Sequence, residues 1–258
     1  MSDTSRIVTL MRAPQISSPA SLSAVVVAGS GGASSTTTAY GLSTALRLGT
    51  GCEVSLVDAT TDGGNLLART AAAAVTPAQR LRQFDDTMAL TSAGAIVVGA
   101  TEEGPVGEPA LIDELLAVRG CARVYDAGTA LRAARLTRLI DSGPPLVVTA
   151  PVRAEPLERL RAALQWLTAT YGGDFLSETV VVLSHQAPKP MVEVSRVREA
   201  LSSRTAGVVE VPFDPVLSRP GVLDHTRISR ATFDAWTDVL DILGSLAAPV
   251  SEEKENLA

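Results

Sequence analysis

The segment Ala28-Gly29-Ser30-Gly31-Gly32-Ala33-Ser34-Ser35-Thr36-Thr37-Thr38 sets glycines and hydroxyl side chains immediately ahead of a helix-forming stretch. Glycines 29, 31 and 32 permit a tight turn and a close approach of phosphate to the backbone. The first N–H groups of the following helix lack intrahelical acceptors, and the helix dipole is positive there, so Gly29 to Thr37 form a candidate oxyanion cradle. Thr36 is spaced to present its hydroxyl to Mg²⁺. The plain alternative is a helix start whose hydroxyls cap their own first turn. Two carboxylates accompany this loop. Asp58 follows the apolar run Glu53–Val57 and leads into Thr60, Asp62, Gly63 and Gly64, while Asp126 follows Ala122–Tyr125 and leads into Ala127-Gly128. Asp58 and Asp126 both stand just past a strand, where site residues of a parallel sheet fall. An Asp at a strand end is also a common turn former.

These residues need a scaffold that brings strand ends together, and the apolar periodicity supplies one. Strands are predicted at Leu22–Ala28, Glu53–Val57, Ala95–Val98, Ala122–Tyr125, Leu146–Thr149, Val180–Leu183 and Gly207–Val211. Helices are predicted at Thr36–Leu48, Pro77–Thr91, Pro109–Val118, Ala130–Ile140, Pro156–Thr170, Val192–Leu201 and Ile228–Leu246, where apolar residues recur every three to four positions. Strands alternating with helices imply an α/β fold: three layers, a mostly parallel sheet with helices on both faces. In such sheets ligands bind beyond the carboxyl ends of the strands, where the candidate residues fall. Residues 1–20 read as an irregular lead-in, 21–248 as one domain and 249–258 as a flexible acidic tail.

Hydrophobic residues make up 46% of the 258-residue chain and aromatics 3%, so the core must be filled by Val, Leu, Ala and Ile. So few aromatics argue against a stacking platform for single-stranded nucleic acid. The net charge of −6 offers no global basic surface for phosphate backbones. Arg132, Arg135 and Arg138 are expected on one helix face beside Arg123, and Arg219, Arg227 and Arg230 before the last helix, which keeps a local DNA patch open. Cys52 and Cys121 read as small buried hydrophobes. With no apolar run of about 18 residues and no signal-peptide pattern, the expected location is cytoplasmic, without membrane insertion.

The first loop resembles the deviant Walker A box of the MinD/ParA/Mrp family of P-loop ATPases, whose pattern is Lys-Gly-Gly-x-x-Lys-Thr-Thr. Thr36 matches the magnesium-binding threonine, but Ser30 and Ser35 stand where the family has its signature lysine and its P-loop lysine. The segment from Asp58 to Leu66 resembles the family's Asp-Ala-Asp-Pro-Asp-Gly-Gly-Asn-Leu, with Thr60 in place of the second, water-orienting Asp. Asp126-Ala127-Gly128 resembles the Walker B strand end, and the resemblance implies Asp58 and Asp126 as catalytic residues and Thr36 and Asp126 as the Mg²⁺ ligands. His185 and Gln186 stand where the family reads adenine, and Val211-Pro212-Phe213-Asp214 resembles the loop that lines the base pocket. The resemblance spans roughly residues 22–248. It implies a P-loop NTPase fold and a site for ATP or ADP with Mg²⁺, with Gly29 to Thr37, His185, Gln186, Pro212, Phe213 and Asp214 on the nucleotide.

Three readings follow. The first is a degenerate MinD/ParA-like protein, a weak or inactive nucleotide binder acting through a protein partner in partition, division placement or specialised secretion. It would pair as a homodimer or with an intact paralogue. The second is an active Mg-dependent ATPase that draws positive charge from elsewhere, such as Arg153 or Lys189. The third is an α/β dinucleotide-binding module, although the loop lacks Gly-x-Gly-x-x-Gly spacing.

Overall fold

A computed structural model describes residues 12–32, 34–61, 64–100, 104–189 and 192–247. Most of the lead-in, the acidic tail, Ala33, Asp62 and Gly63 lie outside the described residues. Eight strands form one sheet: β1 (Ser23–Ala28), β2 (Val54–Asp58), β3 (Met88–Leu90), β4 (Ile96–Val98), β5 (Ala122–Asp126), β6 (Leu146–Pro151), β7 (Val180–Ser184) and β8 (Gly207–Val211). Their order is β3-β4-β2-β5-β1-β6-β7-β8, and every neighbouring pair is parallel except β3–β4. The inner strands read as unbroken apolar runs because both sheet faces are covered; all five residues of β2, β5 and β7 are buried.

The helices are α1 (Ser35–Thr50), α2 (Leu66–Thr70), α3 (Pro109–Val118), α4 (Ala134–Asp141), α5 (Ala154–Tyr171), α6 (Gly173–Ser177), α7 (Val194–Ser202) and α8 (Arg230–Ala247). Tyr40 and Leu46 of α1, Leu66 of α2 and Trp236 and Leu240 of α8 pack on one sheet face with Val26 and Val124. Ile112 of α3, Leu136 of α4 and Leu160 and Leu164 of α5 pack on the other with Val25 and Val27. This three-layer α/β architecture is the one expected. Helix α1 carries the phosphate-loop candidate at its start, and it lies close on α8. A Cβ placed at Gly41 would come 2.1 Å from the Trp236 ring, so only glycine admits that approach.

The segment Pro77–Thr91 departs from the helix expected of it. It folds as a 3₁₀ turn, Arg82–Thr87, kinked at Phe84, followed by the antiparallel edge strand β3. Leu81, Phe84 and Met88 do face the core, as a helix would place them. The backbone of Met88–Leu90 instead pairs with β4, through a turn closed at Gly94 with φ of +81°. Helix α4 begins at Ala134 rather than Ala130, because Ala127 to Ala133 form successive turns after β5. The short helices α2 and α6 were not anticipated. Cys121 is buried but Cys52 only half-buried.

Candidate functional site

Strand β1 delivers the glycine loop to the carboxyl edge of the sheet between β5 and β6. The Gly29 N–H donates to Thr149 O at 3.0 Å, and the Ala28 N–H to Gly128 O at 2.6 Å, so the loop leaves from a fixed point. A Cβ at Gly29 would meet the Leu160 backbone at 3.2 Å, which accounts for that glycine. Gly32 has φ of +70°, and Ser34, the cap of α1, is left-handed at φ 65°. Gly31 and Gly32 are exposed, whereas Ser30 and Ser35 are buried. The Ser30 hydroxyl has no hydrogen-bond partner among the described residues.

The two carboxylates meet at this edge. Asp58 and Asp126 are register partners across β2 and β5. The Thr36 hydroxyl donates to Asp126 Oδ2, and the Gly128 N–H to Asp126 Oδ1 at 3.1 Å. Burial pushes the Asp126 carboxyl above its ordinary value, opposed by the bonds from Thr36 and Gly128 and reinforced by the charge of Asp58. Ser35, in the residue position before Thr36, is buried next to this pair. Asp58 Oδ1 accepts from the Thr60 N–H at 3.0 Å and the Thr60 hydroxyl at 2.6 Å, while its buried Oδ2 has no partner among the described residues. Thr60 therefore does structural work where the family has a carboxylate: its hydroxyl also accepts from the Gly64 N–H at 2.7 Å.

Two adjacent buried carboxylates, one with an orphaned oxygen, suit a hard cation. Among the described residues no group of three or more His, Cys, Asp or Glu converges. A cation here would be completed by the Thr36 hydroxyl, phosphate oxygens and water rather than caged by protein.

On the far side of the α1 start lies a cavity of about 290 Å³, lined by Ser34, Thr37, Thr38, Ser184, His185, Gln186, Val211, Pro212, Asp214, Leu217, Ser218 and Trp236. The structure thus brings His185, Gln186, Pro212 and Asp214 to one hollow beside Thr37; Phe213 is half-buried and does not line it. The polar groups divide by role. The Gln186 amide donates to Gly32 O and ties the two loops. The His185 ring meets Glu210 at 3.1 Å. The Asp214 carboxylate is spent on the approach to α8, accepting from the Val216 N–H at 3.0 Å, the Ser229 N–H at 2.8 Å and the Thr232 hydroxyl at 3.2 Å. Ser184 and Trp236 also line the cavity and were not singled out from the sequence. Ser184 ends β7 and was findable by the strand-end rule. Trp236 arrives from a distant helix and carried no local signal.

Positive charge is scarce here. The chain has two lysines, Lys189 and Lys254, and neither belongs to the glycine loop. The expected arginine face forms only in part, because Arg135 and Arg138 lie on α4 but Arg132 does not. Arg132 precedes α4 and lies over Trp166 at 5.4 Å, and Arg123 is buried on Asp113 at 3.0 Å. Arg135 donates to Thr60 O at 2.6 Å and to Val106 O and Gly107 O. The late start of α4 leaves Arg132 outside the helix that carries Arg135 and Arg138. Arg135 instead clamps the turn that follows Asp58, which no sequence pattern indicated.

No family model matches the sequence, and no curated protein matches it. Solved structures do. A ParA family ATPase from Chlorobium tepidum TLS superposes with TM-score 0.63 at 14% identity, over 86% of this chain and 98% of that one. The MinC:MinD cell division protein complex of Aquifex aeolicus gives 0.59 at 15% identity, over 89% and 98%. Cobyrinic acid a,c-diamide synthase from Mycobacterium smegmatis, with bound ATP analogue and magnesium, gives 0.54 at 13% identity, over 86% and 93%. At these identities the likeness establishes architecture: the chain has the three-layer α/β fold of MinD/ParA-like P-loop NTPases.

Proposed function

We propose that this chain is a degenerate MinD/ParA-like P-loop protein. It binds ATP or ADP weakly and acts through protein partners in partition, division placement or specialised secretion. Residues 21–248 are taken as its one domain. The observation that carries the reading is the asymmetry of the site. Thr36, Asp58 and Asp126 meet at the strand ends beside an open cavity, while the loop that would hold the phosphates has no cationic side chain. Backbone N–H groups and the α1 dipole support phosphate binding. Transition-state charge on a transferring phosphoryl group calls for more than that.

With nucleotide bound, Thr36 and Asp126 would hold Mg²⁺, which neutralises phosphate charge. Asp58 would orient water or ligand through its unpartnered oxygen. Thr37, Thr38, His185, Gln186 and Pro212 would line the base. Asp214 lines that pocket too and holds its loop to the approach to α8. Protein partnership draws support from the MinC:MinD complex among the similar structures. Among the described residues no helix is long and apolar enough to cross a membrane.

The dinucleotide reading is disfavoured by strand order. That reading would use Asp58 for the ribose, but strand β5 lies between β1 and β2, so Asp58 ends two strands, roughly 10 Å, away from the strand that carries the loop. An active ATPase remains the second reading, favoured by the intact Thr36–Asp126 pair. Phosphate release measured beside nucleotide binding separates the two. Binding without turnover above buffer is the expected result; turnover abolished by Asp126→Asn would establish the active enzyme instead.

A further inference from the structure

We infer that the hollow between the glycine loop and the start of α5 is an oxyanion site for a phosphate group, in which Arg153 supplies the positive charge that the loop lacks. The cavity measures about 430 Å³ and is lined by Ser30, Gly31, Arg153, Glu155 and Arg159, among others. It lies on the Ser30 side of the loop and shares no lining residue with the cavity beside Thr37.

Three observations converge. First, Ser30 is 7% exposed, and its buried hydroxyl has no partner among the described residues. An orphaned buried hydroxyl is costly unless something comes to meet it. Second, α5 is 18 residues long and opens into the hollow, and its cap residue Arg153 makes no side-chain cap bond. The Leu157 N–H is taken by Arg153 O at 3.1 Å and Pro156 has no N–H, which leaves the Ala154 and Glu155 N–H groups facing outward at the positive end of the dipole. Third, two guanidinium groups flank the opening. Arg159 pairs with Glu155 at 2.6 Å, whereas Arg153 makes no ion pair among the described residues. A tetrahedral oxyanion in the hollow would meet backbone donors and planar guanidinium forks, with the unpartnered Ser30 hydroxyl in the wall beside them, a donor set matched to phosphate. Glu155 is the built-in competitor, since it already occupies Arg159.

The phosphate has two sources, a free phosphate ion or the terminal phosphate of a nucleotide on the glycine loop. Only the second rests on the proposed function. Calorimetric titration of inorganic phosphate, ADP and ATP into the wild type, Arg153→Ala and Glu155→Gln tests the site, with thermal melts confirming that each variant is folded. Phosphate should bind the wild type, about tenfold more weakly to Arg153→Ala and about two- to fivefold more tightly to Glu155→Gln. If the ion is free phosphate, saturating ATP leaves its titration unchanged. If it is the terminal phosphate, ATP abolishes the phosphate signal and Arg153→Ala weakens ATP more than ADP. Wild-type protein that shows no phosphate binding at about 10 mM, or an Arg153→Ala variant that binds phosphate as the wild type does, overturns the site. ADP binding that persists in that case leaves the proposed function standing. Phosphate binding without any nucleotide binding does the reverse.

Discussion

Replacing Ser35 with lysine is the most informative perturbation of the loop. Ser35 is the first residue of α1, is buried, and precedes Thr36, whose hydroxyl donates to Asp126. A lysine there would place an ammonium opposite two carboxylates on neighbouring strands, about 4.8 Å apart. One charge pair at about 4 Å and an effective dielectric near 20 is worth roughly 4 kcal/mol. Holding the ammonium out of water costs several kcal/mol, and the carboxylates would offset much of that cost. In the ligand-free protein the lysine is shared with Asp126; with nucleotide present it is shared with phosphate oxygens. The net gain in nucleotide affinity should therefore fall well below the full pair energy, at roughly tenfold to a hundredfold, or about 1.4–2.8 kcal/mol. Ser35→Met is the control, because it adds similar bulk without charge. Titration with Mg-ADP, followed by calorimetry, reads the difference. If the lysine variant binds no tighter than the methionine variant while both fold, the argument that missing charge limits this site is refuted.

Other outcomes follow from the same geometry. Asp126→Asn should raise the melting temperature at neutral pH. The native carboxyl titrates above its unfolded value of 3.8, so stability falls as pH rises through that window and stays lower above it. The same variant should lose any Mg²⁺-dependent stabilisation, and melts with and without the ion check both effects. His225 is pushed down by burial, so the unfolded chain takes up its proton first as pH falls below 6.5. Stability should drop from there toward lower pH, with a shallower slope in His225→Gln, as melting curves across that range would show. Gly41→Ala should cost about 1–3 kcal/mol or more, because its methyl would sit 2.1 Å from Trp236; denaturant unfolding measures this, and an unchanged midpoint would contradict the close helix packing.

The layers and the site were legible from the sequence to different depths. The central strands announced themselves because burial on both faces forces unbroken Val-rich runs, as in Ala24 to Ala28 and Val180 to Leu183. The loop, Asp58 and Asp126 were findable because each follows such a run, and the fold places all three at one edge. The edge of the sheet was not legible. Leu81, Phe84 and Met88 have helical spacing, yet β4 offers an unpaired edge, and backbone pairing with it outweighs the periodicity of a short segment. Ser34 in a left-handed conformation gives no sign in its residue type, since glycine is the usual occupant. The roles of Thr60, Arg135 and Asp214 were hidden for another reason: each is settled by hydrogen bonds to partners that local pattern does not specify.

On the proposed function, a weakened but magnesium-linked nucleotide site survives at these strand ends. Calorimetric titration of the full chain with ATP and ADP, each with and without Mg²⁺, is the decisive experiment. Dissociation constants of roughly 0.1–10 mM are expected, tightened by Mg²⁺ in the wild type and not in Asp126→Asn. Absence of binding at about 10 mM nucleotide, or binding indifferent to Mg²⁺ and to Asp126, would contradict the proposed function.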